Sequence, residues 1–167
     1  MIKLIFCSDL EGNIGKNNDL LFKYKEDMKF FRDTTLGKTM LMGRKTYESL
    51  GSEPLPRRLN VVLTKEKTIE VKTNIILVDD LEKTIKEFNE GSTKDDLYII
   101  GGASIYNQSL ELGLVDEVLI TIVHEIVKDA DTKVDLALIF DQFPYKEIIK
   151  EFIAEDGNKV EIYRYYK

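Results

Sequence analysis

Asp27 is the residue where chemistry is easiest to place. With a helix over 25–36, positions 24, 27, 28, 31, 34 and 35 share one face. That face reads Tyr24, Asp27, Met28, Phe31, Thr34 and Thr35, an acid inside a largely apolar stripe. Desolvation there raises a carboxyl pKa and suits it to donating a proton or gripping a cationic ligand. The same spacing also fits a first-turn acid that faces water and favours the helix dipole.

Three other segments carry groups that suit anions or close backbone approach. Gly43-Arg44-Lys45-Thr46 follows an apolar run and opens a helical pattern. Free N–H groups at a helix start attract phosphate, and Arg binds it bidentately. Lys65, beside Thr64, ends the next apolar run and can join the same patch. The alternative is a glycine turn with solvated basic residues. Gly101-Gly102-Ala103-Ser104 sits at another run-to-helix junction, where paired glycines let a backbone approach a ligand or make a plain tight turn. It is not the dinucleotide fingerprint, because Ala103 and Tyr106 occupy the wrong places. Glu11–Asp19 is rich in Gly and Asn and is long enough to drape over a site.

Other features are set aside. Gly37-Lys38-Thr39 resembles the end of a phosphate loop, but Arg32 stands where its first glycine belongs. His124 has no acidic or cysteine motif around it and reads as a surface or core residue. The acids from Asp129 to Asp135 lack the glycine and final glutamate of a calcium loop.

The elements that must position these groups follow from periodicity. Short β-branched runs mark strands at Ile2–Cys7, Thr39–Met42, Leu59–Thr64, Asn74–Val78, Leu97–Ile100 and Val118–Val123. Glu147–Ala154 and Lys159–Tyr166 flank Asp156-Gly157-Asn158, a hairpin signal. Helical patterns cover Lys25–Leu36, Lys45–Leu50, Leu81–Asn89 and Ser104–Leu112. The expectation is an α/β fold: a mostly parallel eight-stranded sheet, a C-terminal antiparallel hairpin and about four flanking helices. Ligands in such sheets sit at the carboxyl ends of the strands.

Composition narrows the class. At 167 residues and 43% hydrophobic, the chain is expected to form a single domain over 1–167 with a real core. One cysteine, Cys7, excludes an internal disulfide and a Cys-based zinc site, and one histidine excludes a multi-His metal site. Net charge of -6 argues against a nucleic-acid partner. No apolar stretch approaches the roughly 18 residues of a membrane span, and the N-terminus does not read as a signal peptide. A cytoplasmic protein is expected.

In order along the chain, these segments resemble dihydrofolate reductase. The resemblance rests on Ile14-Gly15, the helix with Asp27 and Phe31, Met42-Gly43-Arg44-Lys45-Thr46-Tyr47-Glu48-Ser49-Leu50, Pro54-Leu55-Pro56-Arg57-Arg58, and Ile100-Gly101-Gly102 with Ile105-Tyr106. It covers nearly the whole chain. It implies NADPH as cofactor, and dihydrofolate and antifolate-type small molecules as partners of a monomer. Asp27 matches the family's one ionisable group in the pterin pocket, backed by Thr121. Ile5, Met28, Phe31, Leu50 and Ile100 match its apolar walls, with Cys7 and Tyr106 also at the substrate. Arg58, with Arg57 as the adjacent alternative, matches the arginine for the substrate's glutamate tail. Gly43, Arg44, Lys45, Thr46, Leu63, Thr64 and Lys65 match the adenosine-phosphate region. Gly101 and Gly102, joined by a cis peptide in the family, match the pyrophosphate turn, with Ala103, Ser104, Ile105 and Gln108 on the following helix. Ile14, Gly15 and Leu20 match the loop that closes over nicotinamide, with Cys7 beside them, and Leu20 and Phe22 fall at the reacting end.

The sequence departs from the family in three places. Phe22 stands where a tryptophan is usual, Leu21-Phe22 lacks the proline often found before it, and the Gly51-Ser52-Glu53 loop is one residue longer than in common bacterial forms. Two rivals remain: a fold-sharing reductase of a ribosylated pyrimidine, against which Asp27 and Phe31 argue, and a non-catalytic pterin- or nucleotide-binding module.

Overall fold

A computed structural model describes residues 1–66, 68–70, 72–91 and 95–167. Eight strands form the main sheet: β1 (Ile2–Ser8), β4 (Thr39–Gly43), β5 (Leu59–Leu63), β6 (Ile75–Val78), β7 (Leu97–Gly101), β8 (Glu117–Val123), β10 (Tyr145–Ile153) and β11 (Lys159–Tyr166). Their order is β10-β11-β8-β1-β7-β4-β5-β6. β11 runs antiparallel to β8 and β10, and the pairs from β8 to β6 are parallel. The turn of the closing hairpin falls on Asp156-Gly157, with Gly157 at φ +87°.

Among the described residues five helices flank the sheet: α1 (Lys25–Thr35), α2 (Arg44–Ser49), α3 (Leu81–Glu90), α4 (Ala103–Glu111) and α5 (Leu136–Gln142). The fifth departs from the four read in the sequence. It opens on five consecutive apolar residues, Leu136–Phe140, so no polar face marks a helical period, and Asp135 caps it by accepting from the Ala137 N–H at 3.1 Å.

A second departure lies in Glu11–Asp19. This segment folds into β2 (Asn13–Lys16) and β3 (Asp19–Leu20), which join β9 (Thr132–Lys133) in a small antiparallel sheet. The acids after Asp129 serve that sheet. Asp129 pairs with Lys16, and Asp131 accepts from the Asn17 N–H at 2.9 Å.

Strand alternation divides the core into two layers. On one face Leu4, Phe6, Leu41, Ile99, Val118 and Ile120 pack with Ile85 of α3, Ile105 and Leu110 of α4, and Ile139 of α5. On the other, Ile5, Leu119, Tyr98 and Ile100 meet Phe30 and Phe31 of α1, while Met40 and Met42 meet Tyr47 of α2. The groups of interest lie on this second face and along the sheet edge where the parallel strands end.

The exposed edge strand β10 carries Ile148, Ile149 and Ile153 in water. A bulge between Ile148 and Lys150 breaks its register, and Lys146, Glu147, Lys150 and Glu151 line it. Bulges and charges of this kind keep an open edge from pairing with another strand.

Candidate active site

Register brings the first cluster together. Cys7 of β1 pairs with Thr121 of β8, and Ile5 with Leu119, so these four side chains share the face beneath α1. Asp27 projects onto it from the first turn of the helix. The Thr121 hydroxyl donates to Asp27 Oδ1 at 2.6 Å, and the Cys7 thiol also donates to the carboxylate. Burial pushes the Asp27 carboxyl above its usual range, and those two hydrogen bonds pull back only part of the way. Burial, then the charge of Asp27, pushes the Cys7 thiol well up, so it stays protonated as a donor.

Of the two readings of Asp27, the partly buried one holds. Its apolar neighbours divide between wall and rim. Ile5, Phe31 and Ile100 pack together, whereas Met28 and Leu50 stay exposed. Phe22 stacks on Tyr24 with ring centroids 5.6 Å apart and packs beside Cys7.

The helix carrying Asp27 has no side-chain cap of its own. The turn of the C-terminal hairpin supplies one: Glu155 accepts from the Lys25 N–H at 3.3 Å, and Tyr24 donates to Asp156 at 2.6 Å. Lys150 of β10 adds an ion pair to Glu26 at 3.2 Å. Nothing in the local sequence of α1 reveals this anchoring, which spans most of the chain.

Arg58 settles at the other end of α1. Its Nη1 donates to Thr35 Oγ1 at 3.1 Å and its Nε to the Pro56 carbonyl at 2.9 Å. Burial, then the charges of Arg57 and Arg32, lowers its pKa, though guanidinium stays charged at neutral pH. Arg57 points into water. The loop presenting Arg58 is pinned by buried Asn60, whose amide accepts from Leu55 N–H at 3.0 Å and donates to the Leu55 and Arg58 carbonyls at 2.9 and 3.0 Å. Asn60 was legible as an oddity, a polar residue in an apolar strand that needs partners.

The second cluster rings the ends of β4, β5 and β7. Arg44 and Lys45 start α2 directly after β4, and Thr64 and Lys65 follow β5, the neighbour that pairs Leu63 with Gly43. Gly101 ends β7 beside Met42. The Gly101-Gly102 peptide is cis, as the resemblance implies, and Gly102 starts α4 with no side chain capping its first turn. A Cβ on Gly101, at φ +137°, would come 3.1 Å from Thr46 Oγ1, and one on Gly43 would come 3.2 Å from Ile105 Cγ1. Bare backbone, free N–H groups and three cationic side chains fit a phosphate-bearing cofactor.

Several expected residues sit differently from a ligand-facing position. The Tyr106 hydroxyl is buried and donates to the Ile5 carbonyl at 2.8 Å, tying α4 to β1. Ile105 is buried in the core, while Ser104 and Gln108 bond to each other at the surface at 2.7 Å. Leu20 is exposed on β3, and Ile14 is buried in the core. Asp9 was missed. It is fully buried and accepts from the N–H groups of Glu11, Asn13 and Val127 and from the Asn13 amide, at 2.8 to 3.0 Å. Burial raises its carboxyl, but these four bonds outweigh it and hold the pKa below the usual value. His124 is exposed and pairs with Glu161.

A partly buried carboxylate on one side of the sheet and a glycine-lined basic rim along its strand ends fit one class, an α/β enzyme with room for a phosphate-bearing cofactor and for a ligand that donates to a carboxylate. Comparison with known proteins specifies it. A family model described as dihydrofolate reductase matches residues 1–166. The chain is 34% identical over 154 residues to a dihydrofolate reductase of Buchnera aphidicola, covering 92% of this chain and 87% of that one. It is 32% identical over 168 residues to a dihydrofolate reductase of Mycoplasma genitalium, covering 98% of each. The fold matches the dihydrofolate reductase of Enterococcus faecalis, solved with NADP(H) and RAB-propyl, at TM-score 0.79 and 22% identity, over 99% of this chain and 95% of that one. This chain belongs to the dihydrofolate reductase family, whose members are NADPH-dependent oxidoreductases.

Proposed function

We propose that this chain, as a single domain, reduces 7,8-dihydrofolate to 5,6,7,8-tetrahydrofolate, with hydride going to C6, a proton to N5, and Asp27 as the ionisable group at the pterin. The observation that carries this reading is the Asp27 carboxylate, raised in pKa by burial and held by Thr121 at 2.6 Å. It accepts from N3 and the 2-amino group of the pterin and stabilises the positive charge that grows on the ring. Its raised pKa keeps a proton within reach of N5 through water.

NADPH supplies the hydride when bound. Arg44, Lys45, Thr46, Thr64 and Lys65 take its adenosine phosphates, and Gly101-Gly102 with the α4 N–H groups takes the pyrophosphate. Arg58, set against Thr35, binds a carboxylate of the glutamate tail. Ile5, Phe31 and Ile100 wall the pterin, with Met28 and Leu50 closing its rim. Antifolates that present a protonated diaminopyrimidine compete for the same carboxylate.

The protein works as a monomer, since its open edge at β10 is bulged and charged. It works in the cytoplasm, where the lone Cys7 thiol stays reduced. Light scattering at assay concentration tests the first point, with one chain expected.

Loss of NADPH absorbance on adding dihydrofolate tests the reaction. Turnover supports it. Turnover only with a ribosylated pyrimidine, or binding of NADPH without turnover, would replace it with one of the two rivals.

A further inference from the structure

Arg44 does not stand free among its basic neighbours. Its Nη1 is ion-paired with Glu66, and its Nε lies 3.4 Å from Glu48 Oε1. Glu48 is an ordinary helix pair, four residues along α2. Glu66 comes from the end of a different strand and crosses from β5 to β4. Its backbone is fixed for that reach: the Thr64 hydroxyl accepts from the Glu66 N–H at 3.0 Å and donates to the Glu66 carbonyl at 3.2 Å.

This puts two opposed recognition groups in one place. A guanidinium takes the dianionic phosphate on an adenosine 2′-oxygen, whereas a carboxylate accepts a hydrogen bond from an unphosphorylated 2′-hydroxyl. With Glu66 in place, a 2′-phosphate must displace a carboxylate from Arg44 and then lie beside its charge. A 2′-hydroxyl meets neither cost.

We propose that Glu66 is a specificity-determining residue that loosens the grip on the 2′-phosphate, so that the enzyme also accepts NADH. The proposal rests on the reading above that places the adenosine phosphate at the ends of β4 and β5. Lys45 and Lys65 keep NADPH preferred, and Glu66 sets how steep that preference is.

Calorimetric titration of 2′,5′-ADP and 5′-AMP tests this without turnover. The proteins are wild type, Glu66→Gln, Arg44→Gln and, as a control for general charge, Glu87→Gln on exposed α3. Glu66→Gln is expected to tighten 2′,5′-ADP about 3- to 10-fold, the size of removing one nearby like charge in high dielectric, and to leave 5′-AMP within about twofold. Near 1 M salt, where the Debye length is about 3 Å, the gain should largely vanish. The ratio of kcat/KM for NADPH over NADH should rise by the same factor. Equal changes for both nucleotides, no change, or the same gain from Glu87→Gln would overturn the proposal. If Arg44→Gln weakens neither nucleotide, the adenosine phosphate lies elsewhere. The location and this proposal then fall together, while dihydrofolate turnover by wild type would still stand.

Discussion

Asp27 and Arg44, the two charges proposed to meet ligands, stand in opposite surroundings. Asp27 is drawn under a helix, desolvated, and given only a hydroxyl and a thiol as donors. Arg44 stands half in water with two carboxylates against it. The first arrangement costs stability and shifts a pKa, which proton chemistry requires. The second leaves the charge solvated and exchangeable, which is enough for the proposed hold on a phosphate and would make that hold sensitive to salt. Of these two, the group whose acidity has to change is the desolvated one, and the group that has only to bind stays in water.

This contrast sets the scale of the expected effects. Asp27→Ser should lower kcat/KM for dihydrofolate by about 10²- to 10⁴-fold, the usual span for an acid–base group. Lys45→Gln, at the exposed end, should change it less than tenfold, and less still in high salt. Steady-state kinetics of both variants at two ionic strengths checks the pair.

Arg58 lies between the extremes, buried but kept charged. Arg58→Gln should raise KM for dihydrofolate about 10- to 100-fold with kcat nearly unchanged, as expected for losing a charge-assisted bond of about 1.5–3 kcal/mol. Arg57→Gln should stay within about twofold. Comparison with a pterin lacking the glutamate tail, for which both variants should match wild type, isolates the tail.

Thr121→Val removes a donor to the ionised form of Asp27. The carboxyl pKa then rises further, so the pH–rate profile moves to higher pH, and kcat/KM near neutrality changes by about tenfold. Thr121→Ser should restore the wild-type profile.

The smallest effect is on folding. The folded Asp27 pKa is raised above its unfolded value, so its contribution is fully present below the unfolded pKa and lost as pH rises through the folded one. At neutral pH, Asp27→Asn should therefore melt higher than wild type, on the order of 2–4 °C. The gap should close in acid. Thermal melts across pH check it.

Much of this plan is legible in the sequence because the β-branched runs of the main sheet and the periodic α1, α3 and α4 declare themselves. The short pieces did not. β2, β3 and β9 carry at most one apolar residue each, so they show no alternation, and α5 opens on an unbroken apolar run that shows no stripe. Asp27 was visible as an acid in an apolar stripe, but its partner Thr121 was reached only through resemblance, since strand pairing decides that contact. Met28 shared the predicted stripe yet is exposed, because α1 meets the sheet through Phe30 and Phe31. Asp9, Asn60 and Glu66 act through partners set by tertiary folding. Periodicity carries no trace of those, although Asn60 in its apolar strand was a clue.

The most direct test of the account is the pH dependence of NADPH oxidation with dihydrofolate, wild type beside Asp27→Asn, over about pH 5–8. The account predicts wild-type turnover governed by a pKa above the ordinary carboxyl range, and in the variant a rate at least about 10²-fold lower near neutrality with that pKa gone. Turnover that survives in Asp27→Asn with an unchanged profile would contradict it, and would move the proton-supplying group away from Asp27.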